Sequence, residues 1–130
     1  MRILRIVGTA VTLAVVVQGA SAAEDTDRTM LKLARERGCL VCHAFQPDDS
    51  AVAKVLPPAP TFREIAQRYK GIKDADKQLV KTVLQGTGPH PGDRHWAGKV
   101  NAPDRMLPNA VEVEPHEARA LVHWILALDR

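Results

Sequence analysis

Cysteine is nearly missing from this chain. Two of its 130 residues are cysteine, Cys39 and Cys42, and both lie in the stretch RGCLVCHAF. A disulfide between them would close a loop too small to stabilise much. A structural zinc ion takes four ligands, and neither a second CxxC nor an HxxxH accompanies the pair. Cys39, Cys42 and His43 would supply three, and the adjacent Cys42 and His43 are badly placed to share one ion. Alternating strand patterns are absent too, which removes the thioredoxin-type sheet expected around a redox-active CxxC. Internal repeats and low-complexity segments are also lacking.

Long apolar runs are equally scarce. The longest, residues 6–17, is shorter than the roughly 20 residues a membrane-spanning helix needs. Arg2 and Arg5 precede it and Ala20-Ser21-Ala22 follows, which is the pattern of a secretory signal peptide. Residues 1–22 therefore read as a cleaved leader and 23–130 as a single exported domain, with Ala23 an alternative end to the leader. Loss of Arg2 and Arg5 from a chain with 18 Lys/Arg and 15 Asp/Glu leaves one excess positive charge. No dominant charge remains to suggest nucleic acid as a partner, since that needs a clustered basic surface. The basic residues are mildly concentrated in 63–105. Aromatic residues are few: two Phe, two Trp and one Tyr. A domain of about 108 residues buries its core only marginally, and another large apolar object would help to fill it.

The patterns that are present are helical. Residues 27–38 carry Met30, Leu31, Leu33 and Ala34 at helical spacing, with Thr26 or Asp27 as candidate caps and Gly38 as a stop. Residues 62–69 place Phe62, Ile65, Ala66 and Tyr69 on one side. Residues 74–85 start at Asp74, turn Leu79, Val80, Val83 and Leu84 inward, and close at Gly86. Residues 115–128 begin with Pro115 after the candidate cap Glu114 and bury Ala118, Leu121, Val122, Ile125 and Leu128, with Trp124 beside that stripe. Prolines 57, 58 and 60 exclude a regular helix between the first two segments. Residues 86–111 form a long loop, a length usually tied to function. The fold class is all-α.

In such a setting CxxCH is the attachment signature of c-type haem, and this becomes the favoured reading of Cys39, Cys42 and His43. Two thiols three residues apart on a helical turn can reach the two vinyl groups on one haem edge. The next residue then brings its imidazole under the iron. Export agrees, because this attachment is made outside the cytoplasm. The remaining axial position calls for a second ligand, and methionine opposite histidine raises the potential. Met30 sits in a helical core stripe. Met106, in the long loop, is the better candidate, with His90 or His95 as bis-histidine alternatives. His116 and His123, seven apart on the last helix, read as a solvated face.

Taken in order, LARERGCLVCH, APTFREIAQRY, QLVKTVLQG, RMLPNAV and EPHEARALVHWILAL resemble the small class I bacterial cytochromes c over almost the whole mature chain. The resemblance implies a cytochrome c fold, with three to five helices wrapped around one covalently bound haem and the N- and C-terminal helices packed together. It implies one haem c held through thioethers to Cys39 and Cys42, with His43 and Met106 as iron ligands. It further implies that the Pro60 carbonyl accepts the Nδ1–H of His43, and that Trp96 lies near a haem propionate. Leu107 departs from the Met-Pro-Pro-Asn form of the family, and the 86–105 region is longer than in its smallest members. The implied role is single-electron transfer in the periplasm between redox protein partners, with no enzymatic reaction, no small-molecule substrate and no stable membrane insertion. A dedicated cytochrome subunit of a periplasmic dehydrogenase or reductase is the alternative, and a ligand-binding or peroxidatic haem protein a weaker one.

Overall fold

The computed structural model describes residues 19–47, 56–87, 94–101, 106–108 and 111–129. Four α-helices are found among them: α1 (Gly19–Glu36), α2 (Phe62–Tyr69), α3 (Ala75–Gln85) and α4 (Pro115–Ala127). Short 3₁₀ turns occur at Cys39–Val41 and Arg94–Trp96, and no described residue lies in a strand. Helix α4 is the hub, since α1, α2 and α3 all pack against it.

Helix α1 starts eight residues before the expected Asp27. The segment GASAAEDT supplies three alanines, the best helix former, and carries the helix across the expected cleavage point at Ala22 or Ala23. The apolar run 6–17 lies outside the described residues. Neither candidate cap acts as one. Thr26 Oγ1 donates back to the Ala22 carbonyl at 2.8 Å, while Asp27 Oδ1 accepts the indole N–H of Trp124 at 2.7 Å and ties α1 to α4. The helix ends where Gly38 takes φ +76°, a left-handed conformation that glycine adopts without steric cost.

Helix α2 matches its expected span and opens on a capping box. Thr61 Oγ1 accepts the Glu64 N–H at 3.2 Å, and the Thr61 N–H donates to Glu64 Oε2 at 2.7 Å. Helix α3 begins after Asp74, whose carboxylate pairs with Lys77 at 2.8 Å instead of capping the helix. Leu84, expected inward, is exposed. Helix α4 has Pro115 in its first turn, and the Glu114 N–H donates to Glu117 Oε2 at 3.0 Å.

One cluster of Ala34, Cys39, Phe62, Leu121, Trp124 and Ile125 forms the core, with Met30, Leu31, Leu33, Phe45, Ile65 and Leu128 against it. Trp124 belongs at its centre and not beside the stripe. Its ring stacks on Phe45 at 6.0 Å and meets Phe62 edge-on at 5.5 Å. Leu128 is only half-buried. His116 and His123 are both exposed, as expected.

Arg37, just past α1, reaches Glu117 of α4 at 2.6 Å. That hydrogen bond is the main reason the Glu117 carboxyl is held below its usual range. A depressed folded pKa contributes stability that is complete above the unfolded value of about 4.3 and is lost as pH falls through the folded one. Glu117→Gln should therefore be less stable than wild type near neutral pH. The gap between their denaturation midpoints should close on acidification below the carboxylate range, and a gap independent of pH would contradict this.

Candidate functional site

The segment after α1 folds into a tight turn. Gly38 reverses the chain, Val41 N–H bonds the Gly38 carbonyl at 3.2 Å, and Cys42 and His43 N–H both point to the Cys39 carbonyl, at 3.3 and 3.0 Å. The turn divides the two thiols. Cys39 is buried in the core, Cys42 is exposed, and they are not bonded to each other. Burial pushes the Cys39 thiol up, away from the lowered pKa of a reactive redox cysteine. Among the described residues no three His, Cys, Asp or Glu side chains gather as a metal cluster.

His43 is held from two sides. Its Nδ1 lies 2.7 Å from the Pro60 carbonyl oxygen. A carbonyl can only accept, so Nδ1 carries the proton and Nε2 is left as the basic nitrogen. Phe62 stacks on the imidazole with centroids 5.5 Å apart and planes 19° apart. Backbone bonds from Phe62 N–H to the Ala44 carbonyl (2.9 Å) and from Arg63 N–H to the Phe45 carbonyl (3.2 Å) sew this turn to the start of α2. Burial lowers the His43 pKa, partly offset by the Pro60 bond, which favours the neutral imidazole a metal requires.

His43 opens on an apolar cleft of about 500 Å³, counted out to its mouth. Its wall is made by Cys39 and His43 of the turn, Phe62 and Ile65 of α2, Leu79, Thr82 and Val83 of α3, Leu121, Val122 and Ile125 of α4, and Met106. Two neighbouring candidates, Cys39 and His43, thus share one cleft with Met106, more than sixty residues further on, and Pro60 is bonded directly to His43. A wider hollow of about 720 Å³, counted in the same way and lined in part by Tyr69, Ile72, Leu126 and Asp129, contains no cysteine, histidine or methionine.

Other candidates are placed elsewhere. Cys42 is exposed and does not line the cleft. Trp96 is buried in the Arg94–Trp96 turn, edge-on to His95 at 4.8 Å, and is not part of the cleft wall. His95 is exposed, with Nε2 3.0 Å from Lys99 Nζ, and is also not in that wall. His90 lies outside the described residues. Met30 packs against the core, as its stripe suggested. The reading from sequence missed the Phe62 stack on His43 and the contact between Met106 and the end of α3. Phe62 was visible as a buried position two residues after Pro60. Gly86 and Thr87 had the appearance of an ordinary helix stop.

The fold and this cleft define a class, and comparison with known proteins names it. The family model for cytochrome c matches residues 31–129, and the chain belongs to that family. It is 36% identical over 98 residues to cytochrome c-551 of Allochromatium vinosum, covering 75% of this chain and 84% of that protein. It is 34% identical over 96 residues to cytochrome c2 of Rhodocyclus tenuis, covering 74% and 88%. Among solved structures it is similar to wild-type Nitrosomonas europaea cytochrome c552, with a TM-score of 0.54, 28% identity and coverage of 75% of this chain and 98% of that one. The class I resemblance seen in the motifs is borne out, as are the all-α cytochrome c fold, the covalent haem c with its iron, and the role as a monohaem electron-transfer protein. The residues fit that cofactor: an apolar cleft, a free thiol in its wall, a neutral imidazole with only Nε2 left basic, and a thioether on the same cleft.

Proposed function

We propose that this chain is an exported, periplasmic carrier of single electrons between redox proteins. In this reading Cys39 and Cys42 would hold the haem through thioethers, and His43 Nε2 and Met106 Sδ would be the ligands of its iron. The observation that carries it is the meeting of Cys39, His43 and Met106 on one apolar cleft, with His43 Nδ1 engaged by Pro60. When bound, haem supplies the one-electron Fe(II)/Fe(III) couple. The chain's own contribution is geometric and dielectric. Pro60 and Phe62 fix the plane and tautomer of His43, a kind of outer-shell support that tunes a metal site. The α2, α3 and α4 side chains of the cleft exclude water, which favours the less charged reduced state. With His43 and Met106 both as ligands, the iron would have no open position for a substrate, as suits a carrier.

Export is supported by the run 6–17 and the Ala20-Ser21-Ala22 pattern. The described residues include no helix long and apolar enough to cross a membrane. Weak docking is the expected mode of partner encounter, since redox pairs use small interfaces. Spectroscopy on the exported holoprotein tests the ligand set. The ferric wild type should show the weak far-red Met–Fe(III) band, and Met106→Ala should lose it. A band that survives this change would mean that another residue is the ligand.

A further inference from the structure

We infer that Gly86 and Thr87, at the end of α3, form a backbone clamp that positions Met106 over the cleft. The inference rests on the reading of Met106 as the axial ligand. Met106 has both backbone groups taken by one distant residue. The Thr87 N–H donates to the Met106 carbonyl at 2.9 Å, and the Met106 N–H donates to Thr87 Oγ1 at 3.0 Å. Gly86 makes this approach possible. It closes α3 through its N–H on the Thr82 carbonyl at 2.8 Å and then turns with φ +69°. A Cβ at this position would stand 2.5 Å from the Met106 carbonyl oxygen and 3.0 Å from the Pro108 nitrogen. Only a residue without a side chain lets the two backbones meet there.

Packing does little of the same work. Leu107 is 70% exposed and Pro108 is also exposed, while Met106 is half-buried. Among the described residues, neither Leu107 nor Pro108 anchors the segment next to the methionine. Helix α3 is a suitable anchor, because it packs on α4 and sends Leu79, Thr82 and Val83 into the same cleft. The clamp thus ties the thioether to the helix that forms the cleft wall, so the two move as a unit. Gly86 and Thr87 are not part of the cleft wall, and both act through Met106.

Imidazole, which competes with methionine for the iron, reads the clamp directly. Thr87→Val keeps the branched shape and removes the acceptor, leaving the Met106 N–H unpaired. In ferric holoprotein it should raise the apparent affinity for imidazole about fivefold, the change expected from losing one hydrogen bond. Thr87→Ser should restore the wild-type value. Gly86→Ala should raise the affinity at least as much, and it carries the test by itself if Thr87→Val fails to accumulate with haem. A merely structural role would lower thermal stability and leave imidazole affinity unchanged. The companion measurement is the far-red band of Met106→Ala. If that variant keeps the band, Met106 is not the ligand and the clamp loses its function with it. If the band is lost but the Thr87 and Gly86 variants bind imidazole like wild type, the ligand stands and the clamp alone is overturned.

Discussion

Trp124→Ala should come close to unfolding the protein. Removing a buried aromatic side chain costs about 3–5 kcal/mol, against a total stability of about 5–15 kcal/mol for an ordinary domain. Trp124 justifies the upper part of that range. It is 6% exposed, stacks on Phe45, meets Phe62 edge-on, and donates its indole N–H to Asp27 of α1. One substitution therefore opens a cavity at the junction of α1, α2 and α4 and leaves Asp27 without its partner. Trp124→Phe separates the parts, because it keeps a ring in the stack and loses only the hydrogen bond, at about 1 kcal/mol. Guanidinium denaturation of the two holoproteins checks the ordering. An alanine variant within about 1 kcal/mol of wild type would show that the core does not centre on this residue. The damage should also reach the site, because Phe62 meets Trp124 edge-on and is stacked on His43.

The helices that could be read from sequence are those whose start signals are local. Thr61 with Glu64 and Glu114 with Pro115 are cap and first-turn pairs a few residues apart, and α2 and α4 fall at or within one residue of their expected spans. Asp27 and Asp74 resemble caps equally well but have been claimed by other partners, Trp124 and Lys77. Lys77 is a local partner and α3 still starts within one residue of its expected position, whereas Trp124 reaches Asp27 only through the tertiary structure, and the start of α1, read from Asp27, was placed too late. Trp124 was set beside the stripe for a related reason. A large ring can reach the core from a position flanking the ideal helical face, and only the neighbouring Phe45 and Phe62 reveal that it does so.

At the site, legibility again follows distance along the chain. Cys39, Cys42 and His43 are contiguous and carry chemistry in their side chains. Met106 stood out as an apolar residue in a loop with no helical face to serve, and the cleft wall includes it. The Pro60 carbonyl is a backbone group, invisible to any residue pattern, and was reached through family likeness alone; the structure places it 2.7 Å from His43 Nδ1. Trp96 came by the same route and lies buried outside the cleft wall, within the longer 86–105 region where order along the chain is a weak guide to position. Gly86 and Thr87 meet the Met106 backbone across nineteen residues of chain, through a close approach and two hydrogen bonds that hydrophobic periodicity cannot register.

Replacing Cys39 and Cys42 together with alanine should convert a permanently loaded protein into one that loses haem on dilution. With the proposed thioethers in place, the cofactor stays with the chain even when the chain unfolds. Stability is then independent of protein concentration. Without them, binding contributes RT ln(1 + [L]/Kd), so each tenfold dilution removes about 1.4 kcal/mol once haem is in excess over Kd. A thousandfold dilution would then remove about 4 kcal/mol, comparable to the whole stability of a marginal small domain. His43 and Met106 would still offer their ligands, so concentrated samples of the double variant should keep their spectrum while a denaturing gel shows no haem on the chain. The pyridine haemochrome should lose its c-type position. The single variants divide the effect, and the structure gives a reason to expect them to differ. Cys39 is buried in the cleft wall, where alanine also removes core volume, whereas Cys42 is exposed. Cys39→Ala should therefore cost folding stability beyond the lost bond, and Cys42→Ala should cost the bond alone. A double variant whose melting temperature is unchanged across a thousandfold dilution, or which still holds haem on a denaturing gel, would show that the thiols are not the attachment.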